Sequence, residues 1–556
     1  MAARTGSLSK LFKLIVCYSQ VAIKTTTHNT SRRTLMANTH APLATREPPA
    51  TLLASLAHLG PGIILASSIV GSGELIATTT VGAEAGFLLL WLIVVGCAIK
   101  VAAQIEIGRT TLTWGRTPLD AFDGVPGPRF AGLGWIYWSW AVMTLLIVVQ
   151  QGGILAGVAQ TLAAGMPVTR AGREWNQIHN EAAGTLIAEA TARRTAHNAI
   201  ASPQFAADTP SPSIRLATLN ATIASLKVPP DETIWAVAVG VVTSLLLGMG
   251  HYRLIERVSI VLVGTFTLVT LLALLMLQLD PAWAISSSEL ASGLVPSIPP
   301  AIGGRSPMMT ALAAFGIIGV GASELMIYPY WCLEKGYGEA VGPRDPSPAW
   351  AHRARGWMRV MQLDAWTSML VYTAVTIAFY LLGAATLGRL GLRPAGGEMV
   401  RTLGAMYAPV FGQWAAGLFL VGAFAVLYST LFVAAAGNAR MVTDGLILAG
   451  RVAGDDASRR RWTRRISVAW PLVAMVLAIA IREPVGMVLA SGVAQAIMLS
   501  AIGVAVLFFR YCQLDARLMP SRAWDLLVWI SSAGLIVVGL WTLWEKLSSC
   551  LSFSLT

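Results

Sequence analysis

The chain has 556 residues, of which 55% are hydrophobic and only 12% are charged, and its mean hydropathy is +0.64. A soluble domain carries about 25% charged residues, so this composition excludes an ordinary soluble globular protein. The net charge of +12 comes from Lys and Arg residues in short segments between apolar stretches, and not from one basic face, so we expect no nucleic-acid partner.

Residues 1–50 are polar, Thr-rich and basic, and we expect them to form a disordered cytoplasmic leader. Their one apolar run, Leu14–Cys17, is too short to cross a membrane. No cleavage site of small residues follows an apolar run of adequate length, so a secretory signal is not indicated. Met36 begins a more conventional opening and is an alternative start of the chain.

Eleven apolar segments follow, of the length that crosses a bilayer, and we assign residues 51–548 to one all-helical transmembrane domain. They lie at 54–84, 86–109, 131–165, 233–250, 254–278, 309–333, 362–388, 411–438, 466–482, 485–509 and 524–546. We number these predicted spans from first to eleventh.

The charges between the spans predict the orientation. With a cytoplasmic N-terminus, the short inner connections hold 20 Lys and Arg residues, and the outer ones hold six when the segment 167–232 is left out. The positive-inside rule therefore predicts a multi-pass protein of the cell membrane with an external C-terminus. Residues 167–232 are too many for a tight connection, so we predict a small external cap that is helical in part.

Two matched motifs carry the chemistry. The pentad Gly-Ser-Gly-Glu-Leu at 71–75 lies in the first span, and Gly-Ala-Ser-Glu-Leu at 321–325 lies in the sixth. Glycine interruptions at corresponding places in two halves of a transporter indicate a binding site where unwound backbone coordinates a cation. Glycines also serve close helix packing, but two matched motifs favour a site. Glu74 and Glu324 facing one cavity would repel each other unless a cation or a shared proton lay between them.

The pattern therefore predicts a set of binding residues and a set of helix-break residues. The predicted binding residues are Glu74, Glu324, Ser72, Ser323, Gly71 and Gly321, and the predicted helix-break residues are Gly73, Gly319 and Pro329.

Ionisable residues inside a span are read as functional by default, and the second span holds Lys100 and Glu106. Lys100 either snorkels to the cytoplasmic surface or serves as an internal counter-charge, and both residues are candidates for ion coupling. Weaker candidates for ligands elsewhere are the amides and sulfur atoms of Gln495, Asn438, Met326 and Cys332.

The stretch from Gly60 to Ala83 resembles the first helix of the Nramp divalent-metal transporters, whose hallmark is Gly-Pro-Gly, eight residues, then Asp-Pro-Gly-Asn. Further resemblances extend over most of the chain. They lie at Leu89 to Trp91, Gln104 to Gly115, Arg253 to Val263, Gly316 to Tyr328, Tyr428 to Thr430, and Ala436 to Gly437.

This resemblance implies a LeuT-type fold of two inverted five-helix repeats plus one extra helix. The first repeat is expected at 51–278 with the insertion 167–232, the second at 309–509, and the extra helix at 524–546. The departures fall on the chemistry, so the chain looks like a divergent branch of the family. The family's metal-binding Asp and Asn become Gly71 and Glu74, and its Met-Pro-His becomes Ser-Glu-Leu at 323–325.

These departures predict transport of a harder metal cation than a sulfur-containing site would select. Thioether sulfur selects transition metals, whereas carboxylate, carbonyl and water suit magnesium, calcium and manganese. Acidic residues of the family's third helix are replaced by glutamines at 150 and 151, which puts proton coupling in doubt. We therefore expect a secondary transporter of a divalent metal cation, magnesium or manganese, that works by alternating access.

Two other functions stay open at this point. A LeuT-type carrier of an amino acid or another organic solute ranks second, because two glutamates would repel a substrate carboxylate. A receptor or scaffold ranks third, because it leaves the paired motifs unexplained. The sequence shows no nucleophile and base pair and no phosphate-binding loop, and its five cysteines show no metal-site spacing, so we expect neither enzyme activity nor a cofactor.

Overall fold

The computed structural model describes residues 45–198, 212–249, 252–300 and 306–554. Within them, nine helices are long and apolar enough to cross a membrane. These are Ile64–Ala85, Leu90–Trp114, Trp135–Gly165, Asp231–Met249, Pro348–Gly388, Ala415–Leu448, Asp456–Ile481, Pro484–Gln513 and Arg522–Ser549. They confirm nine of the eleven predicted spans.

The fifth and sixth predicted spans are helical too. The fifth is the helix Tyr252–Leu277, whose residues 258–277 carry no charge. The sixth is divided into two half-helices, Pro307–Phe315 and Ala322–Glu334. The division follows the glycines at 316, 319 and 321, which weaken a helix interior.

The segment between the third and fourth spans contains two helices, Arg170–Asn198 and Pro212–Ser225, which pack against each other. The expected helical content of 167–232 is therefore confirmed on its described part. Residues 199–211 lie outside the described residues, as does the predicted leader up to residue 44.

Short elements connect the spans. They are the helices Leu52–Leu56, Pro118–Asp123, Ser287–Leu294, Tyr337–Val341, Met399–Gly404 and Ala408–Phe411, the 3-10 turns Gly396–Glu398, Ala405–Tyr407, Gly412–Trp414 and Ala516–Leu518, and an antiparallel pair of strands, Arg129–Phe130 and Leu133–Gly134.

The first span lies at the centre of the bundle. Of its most apolar window 94% is buried, compared with 28% for the fourth and ninth spans. Glycines bring the sixth and tenth spans together: a Cβ added at Gly316 would lie 2.1 Å from the carbonyl oxygen of Gly492. Because the backbones touch there, the sixth span can divide without leaving a gap against the tenth.

Candidate cation site at the divided sixth span

The first motif does not unwind. Residues Pro61–Ile69 are α-helical, Val70–Thr78 form a π-helix, and Thr79–Ala85 return to the α-helix. The predicted break at Gly73 is therefore wrong, and a widened turn, which also contains the predicted binding residue Gly71, takes its place. Gly71 instead allows close packing, because a Cβ there would lie 2.3 Å from Oγ1 of Thr430, to which the Gly71 amide donates a hydrogen bond of 3.1 Å.

The sixth span unwinds around Gly319, as predicted, immediately before the second motif, whose residues 322–325 are helical. Helix geometry ends at Phe315 and resumes at Ala322, and Gly319 between them has a φ of +60°. A side chain at Gly319 would also meet Sγ of Cys97 at 3.0 Å, so both conformation and space require glycine. Gly321 is extended and precedes the second half-helix. Pro329 lies inside that half-helix, which continues past it, so its assignment as a break residue is wrong.

Glu74 connects the first motif to the unwound segment of the sixth span. Its side chain is fully buried, and its Oε1 accepts hydrogen bonds from the Gly319 amide at 3.1 Å and from Oγ1 of Thr376 at 2.9 Å. Its Oε2 is buried and has no hydrogen-bond partner in the described part of the chain. The widened turn thus places a carboxylate directly on the unwound segment, with one oxygen able to accept a further bond.

Glu324 lies in the first turn of the second half-helix, where the partial positive charge of the helix N-terminus favours a carboxylate. Its Oε2 and the neighbouring Oγ of Ser323 are buried without a hydrogen-bond partner among the residues described. A Cβ at Gly321 would lie 2.3 Å from Oε2 of Glu324 and 2.9 Å from Oε1 of Gln495, so only glycine leaves room for these oxygens.

A series of hydrogen bonds between side-chain amides and hydroxyls also connects the first motif to the second. Nε2 of Gln150 donates to Oγ of Ser72 at 3.0 Å, and Oε1 of Gln150 accepts from Oγ of Ser491 at 2.8 Å and Nε2 of Gln495 at 2.9 Å. Oε1 of Gln495 in turn accepts from the Ser323 amide at 3.1 Å. Sequence reasoning underrated both glutamines, although polar amides in apolar spans were the available signal.

Lys100 does not snorkel. It is fully buried, and its Nζ donates hydrogen bonds to the carbonyl oxygens of Phe315 and, at 2.8 Å, Ile318. Its charge interacts with both Glu74 and Glu324. The structure therefore places a cation from the second span on the unwound part of the sixth.

Glu106, the other charged candidate of the second span, contacts the eleventh span. Its Oε1 accepts from Nε of Arg109 at 3.1 Å and from Nε1 of Trp524 at 2.6 Å. These bonds join the second span to the eleventh. Asn438 bonds to the Ala434 carbonyl of its own helix, and Met326 and Cys332 are buried in the apolar core.

Asp364 of the seventh span binds the N-terminal end of the helix of the first span. Its carboxylate accepts from the amides of Gly60 at 3.0 Å and Gly62 at 2.6 Å, and from the Tyr328 hydroxyl at 2.9 Å. A carboxylate at a helix N-terminus stabilises that helix. One side chain therefore joins the first, sixth and seventh spans.

The described residues contain no group of three or more His, Cys, Asp or Glu side chains placed to hold a metal ion. Beside the divided span, the buried oxygens without a hydrogen-bond partner among the described residues include Oε2 of Glu74, Oε2 of Glu324 and Oγ of Ser323. Oxygen donors of this kind suit hard cations.

Comparison with known proteins identifies the architecture. The family model described as "Natural resistance-associated macrophage protein-like" (Nramp) matches residues 183–545. No curated protein matches the chain.

Similar solved structures include two variants of the manganese transporter of Eremococcus coleocola. One has a TM-score of 0.59 and 14% identity over 91% of this chain and 90% of that one, and the other a TM-score of 0.56 and 14% identity over 89% and 88%. The same transporter in complex with an aromatic bis-isothiourea substituted compound gives 0.51 and 16% over 90% of each chain. These likenesses show that the fold is of the LeuT type, as expected from the sequence. Because the family model covers well over half of its length, this chain belongs to the Nramp family.

Proposed function

We propose that this protein is a secondary transporter that moves a divalent metal cation across the membrane by alternating access. One observation carries the proposal: Oε2 of Glu74 and Oε2 of Glu324 are both buried, and neither has a hydrogen-bond partner among the described residues. A buried carboxylate oxygen without a partner costs free energy, which a bound cation offsets. That solved structures of similar fold belong to a manganese transporter supports the same class of cargo.

In this proposal the ligands are Glu74 and Glu324, helped by Ser72, Ser323 and the backbone around Gly71 and Gly321. The amides of Gln150 and Gln495 add neutral oxygens beside them. Since this set contains no sulfur, we propose a harder cation, magnesium or manganese, as the cargo. Of the two coupling candidates in the second span, Lys100 serves as the counter-charge, and Glu106, bound to Arg109 and Trp524, supports the helix contact.

Alternating access would use the unwound residues 316–321 as a hinge between the two half-helices. Glu74 binds the Gly319 amide in the hinge, so a cation bound at Glu74 would act directly on the hinge. Uptake toward the cytoplasm would be driven by the membrane potential, which contributes about 2.3 kcal/mol per charge per 100 mV.

An organic solute with a carboxylate fits the site less well. In this fold such a carboxylate is held at the N-terminus of a half-helix, and here the first turn of Ala322–Glu334 already contains Glu324. The amino-acid carrier is therefore an outcome that the test must be able to detect, and not a second proposal.

The test is flux into reconstituted vesicles of the wild type, Glu74→Gln and Glu324→Gln. Manganese, magnesium, calcium and a mixture of radiolabelled amino acids are supplied separately. Hydrogen bonds to charged groups contribute about 1.5–3 kcal/mol, so we expect each substitution to reduce metal flux at low concentration by roughly 10- to 100-fold. Glu339→Gln, at an exposed position, is the matched control and should leave flux unchanged. Metal flux that survives in both site variants, or amino-acid uptake without metal flux, would contradict the proposal.

A further inference from the structure

Lys100 of the second span binds carbonyl groups at and just beyond the C-terminus of the first half-helix of the sixth span. At a helix C-terminus the last carbonyl groups lack helical partners and carry a partial negative charge. Here the carbonyl oxygens of Phe315 and Ile318 both accept from Nζ of Lys100. In transporters built on divided helices, such carbonyls are the groups that coordinate a monovalent cation.

The surroundings of Lys100 are shaped to hold its ammonium group there. Nζ lies 4.5 Å from the centre of the Phe315 ring, in a cation–π contact. Two glycines allow the second span to approach: a Cβ at Gly96 would lie 2.9 Å from the Phe315 ring, and one at Gly319 would lie 3.0 Å from Sγ of Cys97. The packing of the second span against the hinge thus depends on small residues on both sides of the lysine.

The charge of Lys100 is opposite to the charges of the two glutamates near the hinge. Glu74 and Glu324 would together bring two negative charges to the hinge, and Lys100 interacts electrostatically with both. An ammonium group at Lys100 offsets one of these two charges. Buried like charges are costly unless a cation compensates them.

We propose that the ammonium group of Lys100 is a built-in monovalent cation of the divided sixth span. It occupies the carbonyl groups that a co-transported ion would otherwise coordinate, so the transport cycle needs no sodium or potassium ion. Removing the side chain converts the same carbonyl groups into a site for an added monovalent cation. The statement about transport rests on the function proposed above, whereas the statement about the cation site does not.

The first test measures stability and involves no cargo. Wild type, Lys100→Ala and Lys100→Met are purified in detergent, and thermal unfolding is followed in choline, sodium and n-propylammonium chloride at equal ionic strength. Alanine removes the atoms of n-propylammonium, so this ion should restore the missing group. We expect Lys100→Ala to melt lower in choline and to gain about 2–4 °C in propylammonium. The wild type should melt alike in all three salts, and Lys100→Met, which fills the space, should not respond.

Two results of this test would overturn the proposal. One is a well-folded, monodisperse Lys100→Ala protein whose melting temperature responds neither to sodium nor to propylammonium. The other is a wild type stabilised by sodium over choline, which can be measured even if Lys100→Ala does not fold.

The second test measures metal flux in vesicles in the same salts. Wild-type flux should be equal in sodium and choline, and sodium-dependent wild-type flux would overturn the proposal. Flux of Lys100→Ala should fall at least tenfold in choline and recover to at least half of the wild-type value in propylammonium, while Lys100→Met stays low. Absence of metal flux in every protein, with the stability results as expected, would reject the proposed cargo and leave the cation site of Lys100 supported.

Discussion

The first and sixth spans carry the two matched pentads but differ in backbone conformation. In the first span, residues 71–75 lie in a π-helix that continues as α-helix on both sides, whereas in the sixth span residues 316–321, which lead into the second pentad, leave the helix altogether. The difference lies in which groups bind the released backbone. In the first span, Oγ1 of Thr78 donates to the Gly73 carbonyl at 2.9 Å and Oγ1 of Thr79 to the Glu74 carbonyl at 3.3 Å.

In the sixth span the unwound backbone groups are bound by side chains of other spans. The carbonyl groups of Phe315 and Ile318 are bound by Lys100, and the Gly319 amide is bound by Glu74. The Gly73 and Glu74 carbonyls are bound by threonines of their own helix, whereas the Phe315 and Ile318 carbonyls are bound by another span and depend on how that span lies. We therefore infer that the first motif is the fixed side of the site and that the unwound residues 316–321 are the side that moves.

The largest expected effect is at the hinge. Gly319→Ala places a Cβ at a φ of +60° and 3.0 Å from Sγ of Cys97. Left-handed backbone and overpacking together should cost about 2–4 kcal/mol of unfolding free energy, measured by chemical denaturation in detergent. Gly391→Ala is the matched control, with a φ of +69° and no atom within 4 Å of its Cβ, and should cost only about 1 kcal/mol. Equal losses in the two variants would mean that the unwound segment tolerates a side chain, which contradicts the tight hinge.

This contrast marks what the sequence could predict. Apolar length located the spans, and the glycines of the sixth span predicted its division, because both depend on local composition. The same reasoning failed at Gly73, since whether a glycine-rich turn unwinds depends on the partners of its backbone. Thr78 of the same helix donates to the Gly73 carbonyl, and Thr430 of the eighth span accepts from the Gly71 amide.

For the site residues too, local sequence could be interpreted, whereas contacts between distant residues could not be predicted. Both glutamates were predicted from their motifs, since a carboxylate inside an apolar span is conspicuous by itself. Lys100 was given two interpretations, because its contact with Phe315 joins residues 215 positions apart and sequence spacing carries no trace of it. The link from Gln150 to Gln495, 345 positions apart, was not predicted for the same reason.

The next effect concerns how the fixed side positions its carboxylate. Thr376→Val keeps the shape of the side chain but removes the hydroxyl group that contacts Oε1 of Glu74 at 2.9 Å and the Tyr372 carbonyl of its own helix at 2.6 Å. Loss of one hydrogen bond of about 0.5–1.5 kcal/mol should raise the metal concentration at half-maximal flux roughly 2- to 10-fold, with a smaller change in maximal rate. Thr386→Val, further along the same span and buried, removes only a hydroxyl bonded to the Leu382 carbonyl of its own helix and should change neither value. If both variants shift the affinity equally, Thr376 acts through general packing of the seventh span and not through Glu74.

The smallest effect tests whether the first motif is held by its own threonines. Thr78→Val removes the hydroxyl that binds the Gly73 carbonyl and leaves a buried acceptor in the π-helix without that donor. We expect a loss of about 0.5–1.5 kcal/mol in unfolding free energy, compared with about zero for Thr218→Val, whose hydroxyl binds the carbonyl of Ile214 on an exposed helix. Local support also means that the loss should be the same in the wild type and in a Lys100→Met background, since residues that share no partner contribute additively. A strong interaction between Thr78 and Lys100 in that double-mutant cycle would show that the two motifs are held as one unit, and the division into a fixed and a moving side would then be wrong.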